Sequence, residues 1–310
     1  MTSCPVCKDN ILTEKDALPY PAGLSNTRKI VPNAIRLCGR CGVGVAFPPV
    51  SEEEMSRLYT GGEYWGTKNL NTSLKNFAVP FGLARSRWKL IEEYLISLSR
   101  TRGIRILDIG AGQGCLGLVA SSSCQISVSQ YIAVEPDSHM VQNLQEIWNK
   151  WRPITKLTVI SSIDGLTDSY DVVVLSHVLE HLVNPLLFLR SAVALLTSKG
   201  LLYADVPNQD FLFKKDVFPH MLFFSPKSLK FLLEQEPLEM ISMKVCGRKM
   251  RSSPLGVQPP ATLRTIQKAI GLLYKFLPGK LLVQYYSWYF GMNHLNEDGT
   301  WIRALCRKKV

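Results

Sequence analysis

The stretch that most constrains this chain is I-L-D-I-G-A-G-Q-G, at residues 106–114. Residues 104–109 form a short, largely apolar run, which predicts a buried strand. Three glycines at alternate positions then predict a tight turn, and the apolar run from about Leu116 predicts a helix. Glycine reaches backbone angles that other residues avoid, and it lets a ligand approach the main chain. A strand, a glycine turn and a helix in this order build a nucleotide-sized pocket at the carboxyl edge of a parallel sheet.

The glycine spacing alone leaves the nucleotide undecided. Gly112, Gly114 and Gly117 also fit the dinucleotide pattern G-x-G-x-x-G, with Glu135 at about the right distance to hold a ribose. Asp108 favours another ligand, because a carboxylate there would repel a pyrophosphate and would suit an ammonium group. The run D-I-G-A-G-Q-G resembles the cofactor loop of class I methyltransferases. The resemblance implies that the cofactor is S-adenosylmethionine (SAM) and that its loop comprises Asp108, Gly110, Gly112 and Gly114.

Two later corners complete the predicted cofactor site. Glu135 follows a predicted strand at residues 131–134, and a carboxylate there can accept hydrogen bonds from both ribose hydroxyls. Asp137 or Ser138 then caps the next helix. In the enzymes that the chain resembles, the following corner faces the adenine, which implies adenine contact by Ile163 or Asp164. The alternative is that Asp164 is only a turn residue before Gly165.

Histidines mark the predicted acceptor side. A β-branched strand at residues 170–176 runs into H-V-L-E-H, residues 177–181. This segment resembles the part of many methyltransferases that lies beside the methionine of the cofactor, which implies that His177 belongs to the cofactor pocket. Glu180 and His181 are either a base or partners at a helix end. His220 precedes a helix start at Ser225-Pro226, where a histidine either takes a proton from a substrate hydroxyl or caps a turn. His220 and His181 are therefore the candidate catalytic residues.

Four cysteines predict a metal site near the N-terminus. They form two C-x-x-C pairs, and two such pairs supply a tetrahedral set of thiolates without an open position. A structural zinc ion is the expected ligand, and four reduced thiols are the alternative. The predicted metal ligands are Cys4, Cys7, Cys38 and Cys41.

The pairing of this cysteine ribbon with the core resembles the zinc-containing sugar methyltransferases of deoxysugar and surface-polysaccharide pathways. The resemblance covers about residues 4–248. Members that methylate carbon have Tyr and Glu just before the loop histidine, where this chain has Phe218 and Pro219. The difference favours O-methylation over C-methylation.

The net charge of +11 is concentrated in the C-terminal region. Residues 240–310 contain 12 Lys and Arg against 2 Asp and Glu. An amphipathic run at 263–277 and an aromatic run at 281–290 predict a basic helical hairpin. It either packs on the core or on a second copy of the chain, or contacts a membrane surface through residues 262–290. The charge also predicts an anionic partner: a small molecule or glycan, with nucleic acid as the weaker alternative.

The predicted fold class is α/β. We expect a Rossmann-like seven-stranded methyltransferase sheet with a small N-terminal Cys4 module. Residues 1–80 would hold the ribbon and a lid region, residues 81–248 plus 299–310 the SAM-binding core, and residues 249–298 an insertion. In the lid region, Tyr64 lies in a glycine-rich turn that either covers the cofactor or packs between domains.

The expected activity is SAM-dependent methylation of a sugar nucleotide or glycan. The alternatives are an RNA methyltransferase, which would bind phosphates with its ribbon and basic region, and a non-catalytic binding protein. Because no signal peptide or membrane span is recognisable, the cytoplasm is the expected location, with contact at the membrane surface as an alternative.

Overall fold

The computed structural model of the protein describes residues 3–9, 17–21, 32–60, 77–249, 278–291 and 299–310. Among these, seven strands build one mixed sheet. In chain order they are β4 (Ile104–Ile109), β5 (Val128–Val134), β6 (Lys156–Ile160), β7 (Tyr170–Ser176), β8 (Leu196–Pro207), β10 (Leu238–Lys249) and β11 (Gly299–Lys308).

The order across the sheet is β10-β11-β8-β7-β4-β5-β6. β4 pairs in parallel with both β5 and β7, and its carboxyl end lies beside theirs. β11 lies antiparallel between β8 and β10. The predicted Rossmann-like methyltransferase sheet is confirmed.

Helices cover both faces of this sheet. Their bounds are α2 (Ala78–Ser97), α3 (Cys115–Ser121), α4 (Ser138–Trp151), α5 (Pro185–Ala194), α6 (Pro226–Leu233) and α7 (Gly279–Gly291). Side chains of β4 alternate between the two resulting cores: Ile104 and Ile106 join one, whereas Leu107 and Ile109 join the other. This period of two is the strand pattern expected when both faces are covered.

A smaller sheet joins the N-terminal module to the core. It contains β1 (Leu18–Pro19), β2 (Ala34–Leu37), β3 (Gly44–Phe47) and β9 (Leu222–Phe223), in that order. The last of these belongs to the segment after β8, so strands distant in sequence share one sheet. The helix α1 (Glu52–Thr60) follows β3, and Ser51 caps it through a hydrogen bond from the Glu54 amide, 3.2 Å.

The aromatic run near the C-terminus is a helix, α7, that packs against α2. A Cβ atom at Gly82 of α2 would lie only 2.3 Å from Cβ of Tyr286, so the two helices touch closely there. Leu282 and Phe290 of α7 are buried, whereas Trp288 is exposed. The predicted first helix of the hairpin, at 263–277, lies outside the described residues. Within the described ranges, no helix has the length and apolar character needed to cross a bilayer.

Candidate active site

The glycine loop folds between β4 and α3 as its sequence predicts. Gly110, Gly112 and Gly114 have φ values of +71°, +53° and +67°, a region that favours glycine. At Gly110 a side chain would also collide with Val178, whose Cγ2 would lie 2.8 Å from the added Cβ. The loop therefore exposes main chain at the carboxyl end of β4, where the sequence places the cofactor.

Glu135 follows the end of β5 and holds the glycine loop through a hydrogen bond to its carboxylate. One oxygen, Oε2, accepts a hydrogen bond from the amide of Gly112 at 2.9 Å, and Oε1 accepts one from the amide of Asp137 at 3.1 Å. Burial raises the pKa of Glu135, and these two amide hydrogen bonds partly oppose that rise. Asp137 caps α4 by accepting from the amides of His139 and Met140, which confirms the predicted helix cap.

Asp108 is more buried than its position at a strand end suggested. It is only 3% exposed, and its Oδ2 accepts a hydrogen bond of 2.5 Å from the hydroxyl of Tyr131. Burial raises the pKa of Asp108 to about 7, although Tyr131 and the nearby Arg87 act in the opposite direction. Tyr131 comes from the neighbouring strand, so this contact could not be predicted from the sequence.

The segment after β7 turns sharply at His177. This residue has φ +56°, and its amide donates to the Asp205 carbonyl at 2.8 Å. Its ring Nδ1 lies 2.9 Å from Oε1 of Glu180, in the short 3₁₀ turn Leu179–His181. Glu180 is 1% exposed; burial by itself would raise the pKa of Glu180, but the neighbouring histidines lower it below the usual value.

The two predicted catalytic histidines lie together. The rings of His181 and His220 meet edge to face, with centroids 4.8 Å apart. Burial lowers the pKa of His181 to about 4. Nδ1 of His220 is 3.0 Å from Oδ2 of Asp210, and Lys214 Nζ is 2.8 Å from the same oxygen. Asp210 is a partner that the sequence reasoning missed; its position ten residues before His220 carries no recognisable pattern.

The N-terminal module supplies one wall of this histidine pair. The hydroxyl of Tyr20 donates to the His220 carbonyl at 3.0 Å. The ring of Tyr59, in α1, meets the ring of His181 at a centroid distance of 5.7 Å. These contacts bring the N-terminal module to residues that lie more than a hundred positions later in the sequence.

A buried ion cluster lies beside the site and was also missed. Asp205, at the end of β8, accepts from Arg87 Nε of α2 at 2.6 Å and lies 3.4 Å from Arg303 Nε of β11. Burial by itself would raise the pKa of Asp205, but the two guanidinium groups lower it. The cluster therefore joins α2, β8 and β11 at the sheet edge that carries the glycine loop.

The structure gives less support to the roles predicted for the remaining site residues. Asp164 is exposed in the corner after β6, where it accepts from the Ser162 hydroxyl at 2.6 Å, and the preceding Ile163 packs against the core. The adenine role of this corner remains a prediction. Tyr64 and its glycine-rich turn lie outside the described residues.

The four N-terminal cysteines converge on one point. Sγ of Cys4 is 3.7 Å from Sγ of Cys41, and Sγ of Cys7 is 3.3 Å from Sγ of Cys38. All four sulfur atoms lie within 4.8 Å of one another. Four sulfurs around a tetrahedral zinc ion lie about 3.8 Å apart when the bonds are about 2.3 Å, so these side chains fit the metal.

The sequence pattern of a methyltransferase-domain family matches residues 84–242, which is half of the chain. The chain belongs to this family. The match spans the glycine loop, Glu135 and the segment after β7, and it confirms the predicted enzyme class. Comparison with curated proteins finds no matching relative.

Several solved methyltransferase structures are similar to the chain. The magnesium protoporphyrin IX methyltransferase of Synechocystis PCC 6803 with bound SAM is 11% identical, with a TM-score of 0.49 over 84% of this chain and 99% of that one. The plantazolicin methyltransferase in complex with SAH is 12% identical, with a TM-score of 0.49 over 83% and 94%. Coclaurine N-methyltransferase, bound to N-methylheliamine and SAH, is 19% identical, with a TM-score of 0.44 over 72% and 70%.

Proposed function

We propose that the protein transfers a methyl group from SAM to a hydroxyl oxygen of a small molecule, with a sugar nucleotide or glycan as the acceptor class. The observation that carries the proposal is the pair of sites at one sheet edge. A glycine loop closed by Glu135 approaches the turn after β7, where a Cβ at Gly110 would lie 2.8 Å from Val178. The same turn carries His181 of the histidine pair. SAM would supply an electrophilic methyl group, and most of the acceleration would come from alignment of the acceptor with it.

The cofactor side is assigned to the residues around the glycine loop. The backbone of Gly110, Gly112 and Gly114 lets the cofactor approach closely, and Glu135 accepts from the ribose hydroxyls with the lone pairs that its two amide contacts leave. Asp108 attracts the ammonium group, and His177 lines the methionine end. We place the adenine against the corner that contains Ile163 and Asp164.

The acceptor side is assigned to the histidine pair. His220 and His181 present imidazole nitrogens in a buried setting, so they can bind the acceptor hydroxyl and help to remove its proton as the oxygen attacks. Asp210 orients His220 through the contact at 3.0 Å. Phe218 and Pro219 stand where the carbon-methylating members of the sugar methyltransferases that the chain resembles have Tyr and Glu, and this difference supports oxygen as the nucleophile.

The N-terminal module would be held by a structural zinc ion bound to Cys4, Cys7, Cys38 and Cys41. Its role is to position the wall that contains Tyr20 and Tyr59 against the histidine pair. The exposed Trp288 of α7 supports peripheral contact with a membrane surface, which would suit a lipid-linked glycan; a second copy of the chain is the other candidate for that face.

The test is methyl transfer by the full-length, zinc-loaded protein to a panel of sugar nucleotides, followed by mass spectrometry of the products. We expect His220→Ala to lower kcat by about 10²–10⁴-fold and to leave the Kd for SAM unchanged. His139→Ala is the matched control, because His139 is exposed on α4. Methylation of RNA with a steep dependence on salt, without turnover of any sugar, would reject the proposed acceptor class.

A further inference from the structure

Beside the four cysteines, one other group of side chains in the described ranges has the composition of a metal site. It consists of Glu180, His181 and His220, whose ligand atoms all lie within 4.8 Å of one another. Glu180 is 1% exposed and His220 is 8% exposed, so both are largely withdrawn from solvent. Two imidazoles and one carboxylate form a ligand set that divalent transition metals commonly use.

Glu180 has a polar atom that no described residue satisfies. Its Oε1 is engaged by Nδ1 of His177 at 2.9 Å. Its Oε2 is fully buried and has no hydrogen-bond partner among the described residues. A buried carboxylate oxygen without a partner is costly, and a cation is the ligand that best offsets that cost.

The surroundings of the group resemble the outer shell of a metal site. Metal-binding histidines usually turn one ring nitrogen toward a carboxylate, which fixes the ring so that the other nitrogen faces the ion. His220 has a related arrangement: its Nδ1 lies 3.0 Å from Oδ2 of Asp210, although without hydrogen-bond geometry, and its Nε2 is available as a ligand atom. His177 orients Glu180 in the same way.

We propose that Glu180, His181 and His220 bind one divalent transition-metal ion, with open coordination positions for the oxygen of the acceptor. Bonds of about 2.0–2.2 Å would draw the three ligand atoms to within about 3–4 Å of one another, a small change from the distances seen. The role of the ion rests on the proposed function: it would hold the acceptor hydroxyl and lower its pKa, so that the proton passes to solvent water as the oxygen attacks. His181 and His220 would then act as ligands of the ion and not as the base. Ion binding itself does not depend on the identity of the acceptor.

Mn²⁺ binding to the full-length protein tests the proposal. The protein is first stripped with a chelator and given one equivalent of Zn²⁺, which the four thiolates take in preference to the oxygen and nitrogen ligands. Mn²⁺ is then titrated by calorimetry. We expect one saturable Mn²⁺ site per chain, and we expect Glu180→Gln to weaken it at least about tenfold. No saturable binding, or equal affinity in Glu180→Gln, would overturn the proposal.

Two controls match the variant. Glu146→Gln removes an exposed carboxylate on α4, and His139→Ala removes an exposed imidazole from the same helix; both should bind Mn²⁺ as the wild type does. If Glu180→Gln does not fold, pulsed electron paramagnetic resonance of Mn²⁺ in the wild-type protein decides the question. Couplings to imidazole nitrogen support the site, and a spectrum of oxygen ligands alone rejects it.

Calorimetry with SAM separates this inference from the proposed function. A protein that binds SAM and methylates a sugar but binds no Mn²⁺ would reject the ion and leave the proposed function standing. A protein that binds Mn²⁺ through Glu180 but methylates no hydroxyl compound would support the ion site and reject the proposed acceptor.

Discussion

At the scale of single residues, we expect Asp108 to make cofactor binding depend on pH. Burial raises the pKa of this carboxyl group to about 7, so the group is largely neutral at pH 6 and largely ionised at pH 8. A cationic ligand prefers the ionised form, and binding therefore releases a proton below pH 7. We expect the affinity for SAM, measured by calorimetry, to rise with pH by up to about tenfold per unit below pH 7 and to level off above it.

Asp108→Asn provides the control for this pH dependence. Its amide oxygen can still accept from the Tyr131 hydroxyl, and the substitution removes a buried titratable group. The variant should bind SAM more weakly at pH 8, with an affinity that no longer changes between pH 6 and 8. If the affinity of the variant for SAM still changes with pH, another group causes the pH dependence.

Glu135 is the second residue whose substitution should act on cofactor affinity. Glu135→Ala removes the proposed ribose contact and the two acceptors that hold the amides of Gly112 and Asp137, 2.9 and 3.1 Å away. We expect the Kd for SAM to rise at least about tenfold, since each charged hydrogen bond contributes about 1.5–3 kcal/mol. Exposed Glu146 on α4, changed to Ala, is the control. An unchanged Kd would remove Glu135 from the cofactor site.

Single residues also show which features of the site could be predicted from the sequence and which could not. The glycine loop and the Asp137 cap follow from local chemistry, because positive φ angles and helix ends require particular residue types within a few positions. The hydrogen bond between Tyr131 and Asp108 spans 23 positions, and that between Arg87 and Asp205 spans 118. Such pairs depend on which strands and helices become neighbours, which one sequence does not specify.

At the scale of elements, the β3–β9 pairing links the cysteine module to the histidine pair. Val45 pairs with Leu222, two residues after His220, and the Ala46 amide donates to the Met221 carbonyl at 2.9 Å. A disturbance of the cysteine module should therefore reach His220 through main-chain hydrogen bonds. The sequence predicted the module and the histidine loop separately but not this shared sheet, because β9 has only two residues.

We expect Cys38→Ser to lower the zinc content, the Tm and the hydrogen-exchange protection of residues 217–224 together. The variant should lose methyl transfer more than it loses SAM binding, because the glycine loop lies on other elements. Cys124→Ser is the control, since Cys124 is exposed and outside the module. Full protection of residues 217–224 in Cys38→Ser would show that the module does not support the histidine loop.

At the scale of the whole molecule, the positions of the core strands followed from the sequence because each strand is a local apolar run. Strands at 104–109 and 170–176 have the predicted bounds. The packing of α7 on α2 could not be predicted, since an apolar aromatic helix fits a core, a second copy of the chain or a membrane equally well. Leu282 and Phe290 are buried, so one face of α7 packs against the rest of the protein.

Gly82→Ala tests that helix contact. The added methyl group would lie 2.3 Å from Tyr286 Cβ and 3.0 Å from the Ser287 amide nitrogen, so α7 must move away from α2. We expect a loss of about 1–3 kcal/mol in the free energy of unfolding by urea, more than any gain in helix propensity. Val79→Ala, at an exposed position of α2, should change stability much less. A more stable Gly82→Ala protein would mean that the two helices do not meet there.

The sheet that β9 shares with β1, β2 and β3 limits how the enzyme can be re-engineered or diversified. Grafting a foreign cysteine module onto this catalytic core would leave β9 with a mismatched neighbour, and Tyr20 and Tyr59 would no longer reach the histidines. A working chimaera would have to exchange residues 3–60 and 209–224 as one unit. We therefore expect acceptor preference to depend jointly on residues 3–60 and 209–224, which are far apart in the gene.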